Sequence, residues 1–383
     1  MKIKIAIIIA NLLLVSVVVA QNTLPIIKAN SISVNIQDGD TFKKSGWYIS
    51  PDVNPDIYTS SSLDKNVVFY TDNDSISVNL QKDTKFDFII ELNDSIKAYT
   101  QIKYAPSFIE TLKSASEYNN SDNREVPEFS YQEANDPNLV ALRNEFRLDS
   151  IAGKGNEVSK ILNLLHWVHK VIPHDGDSSN PQILNAMHLL SVCNNEGRGL
   201  NCRGLAMVLN ECYLALGIKS RYITCLPKDP NDKECHVINM VYSNDLKKWL
   251  WIDPTNDAYV MNENGELLSI EEVRERLIND KPLILNPDAN WNFEATTLKE
   301  EYLYHYMAKN LYRFETPINS KYNLETAQDG KEIKYLQLLP LDYFNQTPDK
   351  TTFVNKKGTA FISYKTNNAK LFWASPKEDS VID

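Results

Sequence analysis

A thiol, an imidazole and a carboxylate follow one another between residues 202 and 253 of this chain. They are Cys202 in the sequence GLNCRG, His236 in CHV and Asp253 in WIDP. These are the side chains that a thiol nucleophile, its base and the group that orients the base require. Their order therefore predicts covalent acyl chemistry that starts at Cys202.

The residues after Cys202 predict a helix that begins at the thiol. Apolar residues recur at helical spacing from Leu205 to Leu216, Asn201 is a suitable N-cap residue, and Gly217 provides a stop. A thiol in the first turn meets unpaired amides and the positive end of the helix dipole, so we expect its pKa to be lowered. The N–H of Cys202 is also a candidate donor to an oxyanion.

His236 and Asp253 are predicted to lie on adjacent strands of a hairpin, whose turn allows two registers. If Tyr242 pairs with Lys247, the imidazole lies opposite the carboxylate. If Tyr242 pairs with Lys248, the imidazole lies opposite the proline that follows. Directly opposed residues of antiparallel strands have Cβ atoms about 5 Å apart, so the carboxylate can reach the imidazole and fix its tautomer.

Four segments of this region together resemble the core of the transglutaminase-like superfamily. They are NCRGLA at 201–206, LALGIKSRYI at 214–223, CHV at 235–237 and WLWIDPT at 249–255. They match a helix-capping cysteine, a Gly-Ile-x-x-Arg-Tyr segment, a histidine strand and a tryptophan strand that ends in Asp-Pro-Thr. The resemblance covers residues 135–260.

The resemblance implies that Cys202 is the nucleophile, His236 the general base and acid, and Asp253 the orienting group. It also implies a papain-like α+β fold, with the cysteine helix packed on an antiparallel sheet. The implied protein is an exported bacterial cysteine hydrolase that cleaves a peptide or isopeptide amide through a thioacyl intermediate. Many members have an aromatic residue soon after the histidine, whereas this chain has Val237 and Ile238. The chemistry requires no cofactor.

The expected substrate is a peptide, a protein or a cell-wall peptide, and two other functions remain open. The thioester could pass to an amine, as in a transglutaminase proper. Alternatively, the protein could keep the fold and only bind a glycan or another protein. A labelled primary amine separates hydrolysis from transfer, and alkylation of Cys202 tests whether the thiol is reactive at all.

A metal site is a further alternative, and we predict none. His166, His169 and His174 are close in sequence, but no cysteine or carboxylate joins them at a zinc spacing. Asp175 and Asp177 lack the other ligands of a calcium loop.

The first twenty residues have the composition of a secretory signal. Lys2 and Lys4 precede an apolar run at 5–15, and small residues lead up to Ala20. This run is short for a membrane span. We therefore predict cleavage after Ala20 and export to the periplasm or the extracellular space, with an uncleaved anchor as the alternative.

The charge of the chain argues against a nucleic-acid partner. The net charge is −10 and becomes −12 when Lys2 and Lys4 are removed with the signal. The sequence has no basic stripe that would overcome the repulsion from phosphate groups. No further long apolar run follows the signal, so we predict no membrane span in the mature protein. The oligomeric state is not indicated.

The five cysteines all lie between residues 193 and 235. An odd number leaves at least one free thiol in an oxidising compartment, and Cys202 is the candidate. Cys193, Cys212, Cys225 and Cys235 could form two disulfides in three pairings or be small buried residues. The sequence does not distinguish between disulfide pairing and burial as free thiols.

The resemblance implies the α+β class for the catalytic part, and the pattern of strands and helices divides the chain into several parts. A signal at 1–20 precedes an antiparallel β domain at 21–115, a linker at 116–135, the transglutaminase-like catalytic domain at 136–285 and a C-terminal mixed α/β extension at 286–383. Arg221 is predicted to form a structural ion pair. The tyrosines Tyr302, Tyr304, Tyr306 and Tyr312 are predicted to form a packed helix face.

Overall fold

A computed structural model describes residues 24–342 and 346–377. The predicted signal at 1–20 lies outside these ranges. The chain divides into two compact units, Met1–Ser107 and Phe108–Asp383. Within the described ranges, no helix has both the length and the apolar character needed to cross a membrane.

The first unit is built from strands. They are β1 (Ile26–Ala29), β2 (Ser33–Asp38), β3 (Thr41–Tyr48), β4 (Asp56–Ser60), β5 (Asn66–Tyr70), β6 (Ser75–Asn79), β7 (Lys85–Leu92) and β8 (Ile96–Tyr104). They form two four-stranded sheets with the orders β3-β2-β5-β6 and β1-β7-β8-β4. Alternate apolar residues such as Val34, Ile36 and Phe88 are buried in one core.

The second of these sheets is mixed, which corrects the prediction of a purely antiparallel β domain. β1 runs parallel to β7, and β4 runs parallel to β8. In the other sheet all the strand pairs are antiparallel. Alternation of apolar residues shows which face of a strand is buried, but it does not show the direction of the neighbouring strand.

The second unit mixes helices and strands, as the α+β class requires. In chain order its elements are α1 (Phe108–Lys113), β9 (Ser130–Tyr131), α2 (Pro137–Glu145), α3 (Leu148–Ala152), α4 (Glu157–Val171), α5 (Ala186–Glu196), α6 (Cys202–Ala215), β10 (Ser220–Leu226), β11 (His236–Ser243), β12 (Lys248–Ile252), β13 (Val260–Met261), α7 (Ile270–Ile278), β14 (Ile284–Leu285), β15 (Asn290–Trp291), β16 (Ala295–Thr296), a π-helix (Glu300–Met307), α8 (Ala308–Asn310), β17 (Arg313–Pro317), β18 (Asn319–Ser320), β19 (Glu332–Leu338), β20 (Lys350–Val354), β21 (Ala360–Thr366) and α9 (Ala369–Phe372).

A seven-stranded sheet holds the second unit together, in the order β12-β11-β10-β17-β19-β21-β20. β10 pairs with β17, so that Thr224 lies opposite Glu315. The predicted boundary between 285 and 286 therefore does not separate two compact units, because strands from both sides share one sheet. The sheet is antiparallel from β12 to β19, as expected around the cysteine helix, and β21 then runs parallel to β19.

α6 is the central helix of this unit. Every residue from Gly204 to Ala215 is buried. Leu205 packs in one cluster with Leu165 of α4 and Val241 of β11. A helix that is enclosed on all sides has little freedom to move, so the start of α6 is held in a fixed position.

The segment 116–135 is packed into the second unit, which corrects its assignment as a linker. β9, within this segment, pairs with β18. Phe129 covers the guanidinium of Arg221, with 3.7 Å from the guanidinium carbon to the ring centroid, and Trp249 lies 5.1 Å away. Arg221 thus lies among aromatic rings instead of in the predicted ion pair, and its Nη2 donates to the Phe372 carbonyl at 3.1 Å.

Candidate active site

The expected helix start at Cys202 is confirmed. Asn201 caps α6 by accepting a hydrogen bond from the N–H of Gly204 at 3.1 Å, and its Nδ2 donates to the carbonyl of Ser178 at 3.2 Å. The first amides of a helix have no partner inside it, and the helix dipole is positive at this end. Both effects favour a thiolate at Cys202.

His236 and Asp253 form a buried pair, with 2.8 Å between Nε2 and Oδ2. Neither predicted register is correct, however. Tyr242 pairs with Trp249, and continuing this register places Asp253 opposite Ile238. The imidazole and the carboxylate are therefore diagonal neighbours on one face of the sheet, within reach of each other at this separation.

Three further groups donate hydrogen bonds to Asp253. The Tyr302 hydroxyl reaches Oδ2 at 2.6 Å, the Thr255 N–H reaches Oδ1 at 2.8 Å, and Nδ2 of Asn256 reaches Oδ2 at 3.1 Å. Burial raises the pKa of Asp253, but the His236 imidazole, the Tyr302 hydroxyl and the Asn256 amide outweigh burial and bring the pKa to about 2. The carboxylate is therefore ionised at neutral pH.

The ionised carboxylate acts in turn on the imidazole. Burial lowers the pKa of His236, but the charge of Asp253 outweighs it and holds this pKa well above its usual value. A protonated His236 is thereby stabilised, as a base that takes up a proton requires.

Two tyrosines of the π-helix contact this pair, although the sequence predicts only packing for them. Tyr302 donates to Asp253 and accepts a hydrogen bond from Nε1 of Trp251 at 3.2 Å. The Tyr306 ring stands edge-on to His236, with the ring centroids 5.2 Å apart. Their spacing of four residues predicts a shared helix face, but it does not show what that face meets.

The imidazoles of His174 and His236 both favour the ionised form of the Cys202 thiol. Because Asp253 engages Nε2 of His236, Nδ1 is the atom that remains available on this ring. Burial raises the pKa of the thiol, but the two imidazoles, the charge of His236 and the N–H of Val237 outweigh it and lower the pKa to about 6. A thiol with this pKa beside a proton carrier is suited to nucleophilic chemistry.

These residues lie within a segment that matches a known family. Residues 145–254 match the model of the transglutaminase-like superfamily. This segment is a transglutaminase-like domain. No curated protein matches the chain.

Two solved structures are similar to parts of the chain. One is a protein from Cytophaga hutchinsonii proposed to be a cysteine protease, with 20% identity, coverage of 37% of this chain and 49% of the other, and a TM-score of 0.26. The other is the transglutaminase of red sea bream, with 11% identity, coverage of 52% and 49%, and a TM-score of 0.23. The chain thus spans about half the length of each.

A cleft of about 400 Å³ lies beside the two imidazoles of the transglutaminase-like domain. Its lining consists of His174, His236, Thr255, Asn256, Trp291, Ala295, Thr296, Thr297, Leu298, Glu301, Tyr302 and Tyr306. Among these described residues Glu301 is the only carboxylate. The volume falls within the range of about 300–1,000 Å³ that is typical of ligand pockets. Much of the wall comes from residues that follow the family match.

The three histidines considered as a metal cluster have separate partners. Nδ1 of His166 lies 2.7 Å from Asp257, and Nδ1 of His169 lies 3.0 Å from the carbonyl of Pro254. His174 lines the cleft, where its Nδ1 accepts a hydrogen bond from Nε1 of Trp291 at 3.0 Å. Across the described ranges, no three side chains of metal-binding type come together. The sequence placed His174 in the loop that leads to Cys202, but it gave no indication of the contact with Trp291.

The other four cysteines differ from Cys202 in the direction in which their pKa is shifted. Within the described residues none of the five is in a disulfide, and Cys193, Cys212 and Cys225 are buried. Burial raises the pKa of these three thiols and of the half-buried Cys235. Cys202 is the one thiol of the five whose pKa is lowered.

We expect iodoacetamide to alkylate Cys202 at a rate that depends on pH through a thiol pKa of about 6. The rate should be nearly constant above pH 7 and fall as the pH drops below 6, because protonation removes the nucleophilic thiolate. An ordinary thiol, with a pKa of about 8.5, would still gain reactivity between pH 7 and 9. Peptide mass spectrometry after short pulses measures each site separately. Cys235 is the internal control, and equal labelling of both sites at pH 6 would contradict the prediction.

A largely buried ion pair fixes Arg203, the residue after Cys202. Nε and Nη2 of Arg203 donate to the two carboxylate oxygens of Glu325 at 2.8 and 2.5 Å. The hydroxyls of Tyr222 and Tyr335 donate to the same carboxylate at 2.7 and 2.6 Å. Burial raises the pKa of Glu325, but the Arg203 charge and these donors outweigh it and lower the pKa. The transglutaminase-like domain is thus tied to a residue well beyond its family match.

Replacing Glu325 by glutamine is expected to destabilise the fold by about 2–3 kcal/mol, because it leaves the Arg203 charge largely buried and unpaired. Urea denaturation at pH 7 measures this difference. The difference in the free energy of unfolding between the wild type and the variant should narrow as the pH falls below about 4. A carboxyl group with a lowered pKa contributes stability that is lost when it is protonated. The exposed Glu332→Gln change on β19 is the matched control. Equal effects of the two changes at pH 7 would contradict the role of the buried pair.

Proposed function

We propose that the protein is a cysteine hydrolase that cleaves a peptide or isopeptide amide, with Cys202 as nucleophile, His236 as general base and acid, and Asp253 as orienting group. One observation carries the proposal: the buried Asp253 carboxylate is hydrogen-bonded to the His236 imidazole at 2.8 Å, and this imidazole helps to lower the pKa of the Cys202 thiol to about 6. Covalent catalysis by a thiol requires this arrangement, whereas a cysteine with a purely structural role does not.

In the proposed reaction the Cys202 thiolate attacks the amide carbonyl carbon, and the C=O electron pair moves to oxygen. The intermediate then collapses, the C–N bond breaks, and the leaving amine takes the proton carried by Nδ1 of His236. In the second half, His236 removes a proton from water, the resulting hydroxide attacks the thioester, and the acid leaves as the thiolate is restored. Asp253 stabilises the charged imidazole in both halves.

We also propose that the protein acts after export, in the periplasm or outside the cell. The support is the signal-like composition of residues 1–20. In these compartments the protein would encounter peptides, proteins and cell-wall peptides as substrates. The mostly uncharged cleft lining is compatible with an extended peptide backbone flanked by apolar side chains.

A panel of peptides and cell-wall peptides, incubated with the wild type and with a labelled primary amine, tests the proposal. We expect a new carboxylate and a new amine, with little label incorporated into the acyl product. Incorporation of the label in place of a free acid would assign the protein to acyl transfer. If no substrate turns over and Cys202 resists alkylation, the chain only binds its ligand and the enzyme proposal is wrong.

A further inference from the structure

The wall of the cleft carries a carboxylate that the proposed reaction does not use, that of Glu301. Among the described residues that line the cleft, no lysine or arginine is present to balance it. The nearest lysine in sequence is engaged elsewhere. Nζ of Lys299 lies 3.1 Å from a carboxylate oxygen of Glu300 and 5.8 Å from the centroid of the Tyr304 ring. Neither of these partners lines the cleft.

The Glu301 side chain is exposed, and its carboxylate is free to meet a ligand. Across the described ranges it forms no hydrogen bond or ion pair with another residue. The imidazole of His236 is not its partner, because Nε2 of that ring is 2.8 Å from Asp253. A negative charge in a cleft favours a cationic ligand and disfavours an anionic one. The free carboxylate therefore gives the cleft a preference in charge.

The same cleft offers apolar and aromatic surface for a long side chain. Trp291, Leu298 and Tyr306 line it, and all three side chains are exposed. The Trp291 ring is held by the hydrogen bond from its Nε1 to Nδ1 of His174, and the Tyr306 ring stands edge-on to His236. Lysine and arginine place their aliphatic stems on such surfaces, and their charges are attracted by aromatic rings. The lining thus suits a basic side chain better than a purely apolar one.

Hydrogen bonds fix the position of the cleft relative to the reacting groups. The Thr297 hydroxyl donates to Oδ1 of Asn256 at 3.1 Å, and Nδ2 of Asn256 donates to Asp253 at 3.1 Å. The lining includes His236, whereas none of the described lining residues belongs to α6. The cleft therefore extends from the imidazole side of the site. In the proposed reaction the leaving amine takes its proton from His236, so the leaving part of the substrate lies on this side.

We propose that Glu301 is a specificity-determining residue that selects a basic side chain on the substrate residue directly after the cleaved bond. The ammonium or guanidinium group meets the Glu301 carboxylate, and the aliphatic stem lies against Trp291, Leu298 and Tyr306. This charged group is distinct from the amine that is released at His236. The substrate class is thus a peptide whose leaving part carries lysine, arginine or another diamino acid residue. The inference rests on the proposed function, because it names the substrate of the same site.

Internally quenched peptides based on one sequence cleaved in the panel test this selection with the full chain. In one set the residue directly after the cleaved bond is lysine, norleucine or glutamate, and in a second set the residue before the bond is varied in the same way. Norleucine keeps the stem of lysine without its charge. In the first set we expect kcat/KM to be about five-fold higher for lysine than for norleucine, and lowest for glutamate. The preference should shrink when salt is added, because salt screens exposed charges.

Charge variants assign the preference to one carboxylate. Glu301→Gln should abolish the preference for lysine over norleucine, and Glu301→Lys should favour the glutamate peptide instead. Glu300→Gln is the matched control, because it changes the net charge of the protein by the same amount in the same turn of the π-helix without altering the cleft lining. We expect this control to keep the preference of the wild type. The chain has a net charge of −10, so the control also measures general attraction of cationic peptides.

Three results would overturn the role of Glu301: equal cleavage of the lysine and norleucine peptides by the wild type, a preference that follows the residue before the bond, or equal losses in Glu301→Gln and Glu300→Gln. If the wild type cleaves no peptide, the proposed function fails, and binding then decides the selection. Ligand-observed NMR compares N-acetyl-lysine methylamide with N-acetyl-norleucine methylamide on the full chain. Tighter binding of the lysine derivative that only Glu301→Gln abolishes supports the charge preference of the cleft, and equal binding of the two rejects it.

Discussion

Replacing Cys202 by alanine is expected to lower peptide cleavage by about 10⁴-fold or more, because the thioacyl intermediate can no longer form. Substrate binding should persist, since the cleft walls are unchanged. The measurement is the turnover of a cleaved peptide from the panel, with binding followed separately by fluorescence.

The matched control is Cys235→Ala, which removes a half-buried thiol directly before His236. Burial raises the pKa of Cys235, so this thiol is poorly suited to attack. We expect this variant to retain turnover within a few-fold of the wild type. Turnover that survives in Cys202→Ala and is lost in Cys235→Ala would show that the nucleophile has been assigned to the wrong cysteine.

Replacing Asp253 by asparagine is expected to lower turnover by about 10³–10⁴-fold at neutral pH. The amide keeps the size of the side chain but cannot stabilise a charged His236. The imidazole pKa then falls, and the thiol pKa rises from about 6 towards its ordinary value. The loss should therefore be larger at pH 6 than at pH 9, as a pH profile of turnover will show.

Asp257→Asn is the matched control, because it makes the same change in the same loop. Asp257 interacts with His166 instead of with the proposed triad. We expect its pH profile to follow that of the wild type. A uniform loss in Asp253→Asn at all pH values would indicate that the carboxylate only supports the loop, and equal losses in the two variants would lead to the same conclusion.

Local patterns predicted those parts of the site that depend on neighbours in sequence. Asn201 before an apolar run fixed the start of α6, because a cap acts on the turn that follows it. The strand that carries His236 is β11, which pairs with β12 in the predicted hairpin.

The features that the sequence missed depend on contacts between distant segments. The register of the hairpin was wrong because Ser243 pairs with Lys248, which leaves a four-residue loop in which Lys247 has a φ of 53°. His174 and Trp291 meet across more than a hundred positions, and no local pattern reports such a contact. The strands after residue 286 were expected, but the sheet they join is decided by backbone pairing and not by residue type.

The sheet that β17 shares with β10 determines which fragment of this chain can be studied alone. A fragment cut to the family match at 145–254 would expose the backbone of β10 as an open edge, where another copy could add a strand and aggregate. It would also lack Trp291, which donates a hydrogen bond to His174. Tyr302, which donates to Asp253, and Glu325, which pairs with Arg203 at the start of α6, would be missing as well. The smallest unit to express is therefore the whole second unit, because the residues that hold the site in place extend beyond the segment that matches the family.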